Sequence, residues 1–300
     1  MFKNFIDVID KCKSIGPFTL SVANAEDAEL LKALALSESM GLTRALLTGN
    51  KAKIAPMAEK AGLKDYSIVE ANGDQESAAK AVEAVREGKA DLLMKGLVNT
   101  SVFMRAILNR ETGLRGEGLI SLVAAYELPG HPKLIFCTDS GINVAPSGEQ
   151  KIDILTNALK AIRAMGYDEP KVAAVAANEM VDPKVSATVD AKNMVDLAAE
   201  GKLPKCIIEG PIALDVALDR EAAKHKGIDS RISGDVDLFM MPNIESGNVL
   251  GKSWLYFNKA KWAGLVLGAR KPIILGSRSD TSEIKINSIA LGCLASAAVK

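Results

Sequence analysis

The sequence predicts an α/β protein of two domains built on mostly parallel sheets. Three observations predict it. Short apolar runs alternate with segments of helical period along all 300 residues, the rhythm of strands joined by packed helices. Hydrophobic residues make up 48% of the chain and aromatics only 4%, so the core is aliphatic, as suits strands covered by helices. Polar turns rich in Gly, Asn, Ser and Thr follow several apolar runs, at the strand ends where such folds gather ligands.

Each element can be justified in order. Residues 19–23 read as a strand, and Asn24 can cap the next helix, with Asp27 at its third position and Leu30, Leu31, Leu34 and Ala35 on one face. Residues 44–47 and 66–69 read as strands around a helix at 55–61, and 75–87 as a helix ended by Gly88. A strand at 90–94 leads through Lys95 to Ser101 into a helix at 102–108. The second half repeats the pattern, with strands at 133–137 and 172–177 and helices at 152–165 and 190–199. Further strands are expected at 206–208, 237–241, 265–267 and 273–275, and a helical pattern runs over 284–291.

Composition sets limits on function. The 37 basic and 37 acidic residues cancel, which argues against a nucleic-acid partner or an anionic membrane. No signal-peptide pattern opens the chain and no apolar run approaches membrane-spanning length, so a soluble, cytoplasmic protein is expected. Four widely spaced cysteines without a CxxC read as reduced thiols rather than a disulfide framework. His131 and His225 sit in polar segments, which weighs against Ser-His-Asp hydrolysis and histidine metal sites. Neither GxxxxGK[ST] nor a helix-opening GxGxxG is present, so P-loop and dinucleotide sites are unsupported.

Four turns carry the candidate chemistry. The most informative follows the apolar run 272–275: Ser277, Arg278, Ser279 and Asp280, just before a helix. A helix start offers unpaired N–H groups, and a guanidinium grips an oxyanion through two bonds. A capping box at Asp280 and Glu283 would explain part of this turn, but not Arg278 beside two serines. Lys95, Thr100 and Ser101 follow the 90–94 strand, and Arg105 lies one turn into the next helix. Each has an ordinary alternative as a cap or a solvated cation. Asp139 lies in the turn after residue 137, and Asn243, Gly247 and Asn248 in the turn after residue 241, where Asx turns are the competing account. Cys137 is a candidate acyl carrier against the plainer reading of a core thiol.

The order and spacing of these segments resemble the phosphate acetyl/butyryltransferase family over essentially the whole chain, most closely its butyryl-transferring members. The resemblance rests on ADLLMKGLVNT (90–100), GLR (113–115), KIDI (151–154), EGPIALD (209–215), MPNIESGNV (241–249) and SRSDTSEIKINSIAL (277–291). It implies the reaction acyl-CoA + phosphate ⇌ acyl phosphate + CoA, with butyryl-CoA ahead of acetyl-CoA. It also implies an isocitrate/isopropylmalate dehydrogenase-like fold with an interdomain active-site cleft, and a homodimer or higher homo-oligomer. Residues 1–124 and 265–300 would form one domain and 125–264 the other. No tightly bound cofactor and no metal is expected, coenzyme A entering as substrate.

By motif match, Ser277 and Arg278 fall on the family's catalytic Ser-Arg pair, Thr100 and Ser101 on its phosphate-contacting turn and Arg105 on a second site arginine. Asp280 is taken as a nearby catalytic acid although it is out of register with the family's, and Lys95, Asp139, Asn243, Gly247, Asn248 and Ser279, from the strand-end turns, as further residues that bind phosphate or CoA. One departure stands out: the acetyl enzymes carry an aspartate seven residues after the motif serine, and here that position is Ile284. A metal- and NAD(P)-dependent dehydrogenase and a non-catalytic two-lobed binding protein are the competing classes.

Overall fold

The computed structural model describes residues 1–116, 118–276 and 280–297. Ser277, Arg278 and Ser279 lie outside the described residues. The chain divides into two compact units, one of residues 2–118 with 262–300, the other of 119–261 with Met1.

The first unit opens with helix α1 (Phe5–Lys13), strand β1 (Phe18–Ala23), α2 (Ala28–Ser39), β2 (Thr43–Gly49), α3 (Lys51–Ala61), β3 (Tyr66–Glu70), α4 (Gly73–Arg86), β4 (Leu92–Lys95) and α5 (Thr100–Leu108). β1 has β2 on one side and β4 on the other, all parallel. The helix after β1 is capped by Asp27, whose side chain accepts from the N–H groups of Glu29 and Leu30, and not by the expected Asn24. Asn24 instead has φ 55° and donates through Nδ2 to Asp74 and to the Leu97 carbonyl. Its amide ties the end of β1 to the first turn of α4 and to the loop after β4.

The second unit follows as β5 (Ser121–Glu127), β6 (Ile135–Thr138), α6 (Gly148–Ala164), β7 (Lys171–Val175), α7 (Ser186–Ala199), β8 (Ile207–Ile212), α8 (Leu214–Leu218), α9 (Arg220–His225), β9 (Leu238–Met240) and α10 (Ile244–Tyr256). Within it the strand order is β5-β6-β9-β7-β8. β5 runs antiparallel to β6, and the other pairs are parallel. The polar segment after residue 241 is a helix start rather than a free turn.

The chain then returns to the first unit as β10 (Lys261–Leu267), β11 (Ile273–Ile274) and α11 (Ser282–Ala297). β11 pairs parallel with β4 and antiparallel with β10, extending that sheet to β3-β2-β1-β4-β11-β10. α11 is buried along almost its whole length against α1 and α2. The units change over at 118/119 and 261/262, whereas crossings at 124/125 and 264/265 would fall inside β5 and β10.

Candidate active site

Strand order places the first group of residues. β1 sits where the strand order reverses, with β2 to one side and β4 to the other, and ligands in open α/β sheets bind beyond strand ends at such a point. Ala23 pairs with Lys95 and Ile274 with Met94, so β1, β4 and β11 finish at one edge. The backbone there is pressed together. Gly96 N–H donates to the Ala23 carbonyl and Leu97 N–H to that of Asn24, and a Cβ on Gly96 would come within 2.3 Å of the Asn24 oxygen. Only glycine fits.

Lys95 ends β4, is 8% exposed, and donates to the Gly96 carbonyl at 3.2 Å. It lines a small opening with Asp27, Leu30, Met94, Gly96, Gly276 and Lys285. Lys285, one turn into α11, is 6% exposed, and its ammonium donates to the Asp280 carbonyl. Sequence reasoning missed Lys285 as a site residue. The signal was there: a lysine among Ile284, Ile286 and Ile289, at the start of a helix otherwise too apolar to face water. The start of α11 is capped by the Thr281 hydroxyl, which accepts from Ile284 N–H at 3.3 Å.

α5 begins where expected. Asn99 caps it, its Oδ1 accepting from Ser101 N–H at 2.9 Å and from the Ser101 hydroxyl at 2.8 Å. The Ser101 proton is thereby used inside the cap, whereas Thr100 is exposed. Arg105 does not line the Lys95 opening. It is exposed and borders a groove of about 530 Å³ between α4 and α5, beside Glu76, Lys80, Glu83 and Arg86.

The second unit brings Asp139, Asn243, Gly247 and Asn248 together. Thr138 pairs with Met240, so β6 and β9 end side by side. Asp139 is almost fully buried. It accepts from the N–H groups of Leu122 (3.2 Å), Gly141 (2.8 Å), Ile142 (3.0 Å) and Asn143 (3.3 Å) and from Asn143 Nδ2 at 2.6 Å. Its carboxylate is committed to folding the 139–143 turn.

Asn243 caps α10, accepting from Ser246 N–H at 3.0 Å. A Cβ on Gly247 would lie 2.8 Å from the Asp139 carbonyl oxygen, and Asn248 Nδ2 donates to the Ser140 carbonyl at 3.1 Å. These residues lock the first turn of α10 onto the 139–143 turn.

Cys137 lies at the end of β6 with no exposure. Burial, reinforced by the Asp139 charge, pushes its thiol up to about 12. Nucleophilic cysteines act as thiolates in exposed, electropositive surroundings, so Cys137 is a core thiol. All four cysteines are free. Among the described residues, no cluster of His, Cys, Asp and Glu is arranged to hold a metal, and no helix is long and apolar enough to cross a membrane.

Comparison with known proteins identifies the family. Residues 74–293 match the family model described as phosphate acetyl/butaryl transferase. The chain is 41% identical over 296 residues to a phosphate butyryltransferase of Clostridium acetobutylicum, covering 98% of each. It is 43% identical over 290 residues to a probable phosphate butyryltransferase of Bacillus subtilis, covering 97% of each. The crystal structure of a branched-chain phosphotransacylase from Enterococcus faecalis superposes with a TM-score of 0.80 at 30% identity, covering 93% of this chain and 99% of that one. A 4-hydroxythreonine-4-phosphate dehydrogenase from Klebsiella pneumoniae shares the fold, with a TM-score of 0.59 at 11% identity, over 95% of this chain and all of that one.

Proposed function

Because the chain belongs to the phosphate acetyl/butyryl transferase family, we propose that it is a phosphate acyltransferase acting on a short acyl-CoA, butyryl-CoA foremost. The observation that carries this reading is the strand edge where Lys95, Gly276 and Lys285 meet at the switch point of the sheet. Cationic groups there suit a reaction whose nucleophile and intermediate are both anionic.

Phosphate attacks the thioester carbonyl directly. A phosphate oxygen bonds to the carbonyl carbon, the carbon–sulfur bond breaks, and CoA leaves as a thiolate that takes up a proton. Arg278 and the Ser277 hydroxyl hold phosphate and stabilise the oxyanion, in the roles their motif positions imply. The buried Cys137, with its raised pKa, favours this route over an acyl-cysteine intermediate. The acetyl-type aspartate is replaced by Ile284, whose N–H is already used by Thr281, so proton transfer to the leaving thiolate falls to another group or to solvent. We read the protein as a cytoplasmic homodimer that needs no tightly bound cofactor or metal.

Thiol release from acetyl-, butyryl- and isobutyryl-CoA, each with and without phosphate, tests the reading. Release should require phosphate, be fastest with butyryl-CoA and be unaffected by EDTA. Release that ignores phosphate would overturn it. Chain-length discrimination should be modest, because one methylene in an apolar pocket is worth only about 1–3 kcal/mol.

A further inference from the structure

Asp74 is the second residue of α4, but its carboxylate bonds to other segments. The start of α4 is secured by Glu76, whose Oε2 accepts from Asn72 N–H at 2.7 Å. Asp74 reaches residues 50 and 25 positions away. Its Oδ1 accepts from Asn24 Nδ2 at 3.1 Å, at the end of β1, and its Oδ2 from Asn99 N–H at 2.9 Å, at the start of α5. Both bonds are charge-assisted, the stronger kind. The helix dipole favours an acid in the first turn of α4, but it does not explain two oxygens aimed at two other segments.

These bonds complete a chain of contacts that ends at the 100–101 turn. Asn24 is buried with φ 55°, a backbone conformation few side chains adopt. Its Nδ2 also donates to the Leu97 carbonyl at 3.1 Å, and the N–H groups of Gly96 and Leu97 donate to the carbonyls of Ala23 and Asn24. The loop after β4 is thus fastened to β1 at Gly96 and Leu97, and Asp74 fastens it again at Asn99. Asn99 is the cap of α5, its Oδ1 holding both the N–H and the hydroxyl of Ser101. Thr100, between them, is exposed.

We infer that Asp74 is a positioning residue for the phosphate substrate. Acting through Asn99, it fixes the placement of Thr100 and the first turn of α5 without touching phosphate itself. This rests on the phosphate acyltransferase reading, in which the 100–101 turn contacts phosphate.

Steady-state thiol release with phosphate and butyryl-CoA varied separately tests this. The wild type must first show phosphate-dependent release; without it the acyltransferase reading has failed, not the positioning role. Asp74→Ala removes both bonds but leaves Glu76 at the start of α4, and alanine suits a helix. It should raise KM for phosphate about five- to thirtyfold, below the scale of a charge-assisted bond made directly to the ligand. KM for butyryl-CoA and kcat at saturating phosphate should each move less than about threefold, the pattern of weakened ground-state binding of one substrate. Asp74→Asn, which keeps one acceptor for Asn99 N–H, should fall between Asp74→Ala and the wild type.

If folded Asp74→Ala melts earlier but keeps the wild-type KM for phosphate, Asp74 only staples two loops and the inference is wrong. It is equally wrong if both KM values rise together, or if kcat alone falls. Asn24→Gly tests the other end of the chain and holds even if Asp74→Ala does not fold. Glycine adopts a positive φ readily, and loss of the amide leaves Asp74 tied to Asn99 alone. The phosphate KM should rise here too, by less than in Asp74→Ala. The double variant should add little to Asp74→Ala, because both changes break one connected network. An unchanged phosphate KM in folded Asn24→Gly, or fully additive effects, would also overturn the proposal.

Discussion

Cys137 and Arg278 test the proposed mechanism from opposite sides. A thiol with no exposure and a pKa pushed to about 12 supplies almost no thiolate at neutral pH. Cys137→Ala should therefore keep phosphate-dependent thiol release, and initial-rate patterns should show a ternary complex rather than ping-pong kinetics. Abolished turnover in a stable Cys137→Ala protein would force the covalent route back. Arg278→Ala should lose on the order of 10²–10³ in kcat, the effect of removing one oxyanion donor, with an unchanged circular dichroism spectrum. Near-normal kcat would remove Arg278 from the mechanism.

At the scale of elements, α10 shows what a single sequence hides. Asn243, Ser246, Gly247 and Asn248 read as turn residues because each favours turns when taken alone. In the fold, Asn243 caps a thirteen-residue helix. Gly247 is small because the Asp139 carbonyl comes so close, and Gly251 because the Tyr126 hydroxyl does, with atoms 2.8 and 2.2 Å from a would-be Cβ. Both reasons are tertiary, and no local pattern carries them. β5 escaped notice for a similar cause: its run of Val123, Ala124 and Ala125 is buried but lacks the β-branched density of its neighbours.

The parallel strands β1, β2, β4 and β7 were legible because apolar runs bounded by Gly and Asn are a local signal. Their order in the sheet was not, and with it the meeting of Lys95 and Lys285, which are 190 residues apart in sequence (285 − 95). Asn243→Ala should destabilise the protein by about 1 kcal/mol, as loss of an N-cap does, read as a lower denaturation midpoint. An unchanged midpoint would mean that the cap adds nothing.

At the scale of the molecule, charge is concentrated at the amino ends of β6, β7 and β9. Lys133 Nζ lies 2.5 Å from Asp237 and 2.7 Å from Asp235, and Lys171 pairs with Asp235 as well. Burial raises the Asp235 carboxyl, but bonds from Lys133 and Lys171 outweigh it and hold the group below its ordinary value. A depressed folded-state pKa stabilises the protein above the unfolded value, about 3.9, and that stability is lost as pH falls through the lower folded value. Asp235→Asn should therefore flatten the acid limb of the stability curve below about pH 4 and leave its shape near neutrality unchanged. An acid limb as steep as that of the wild type would show that the network does not govern acid unfolding.

The return of the chain into its first unit has a further consequence, in time rather than in space. As the ribosome releases the polypeptide, the segment 119–261 emerges whole and can close its own sheet while synthesis continues. β4, finished much earlier, must wait with one flank open until β11 arrives as its neighbour, and α1 and α2 wait for α11. An open strand flank is a template for unwanted pairing. The part of this protein made first is the part completed last, and its exposure to misassembly lasts until the final residues leave the exit tunnel.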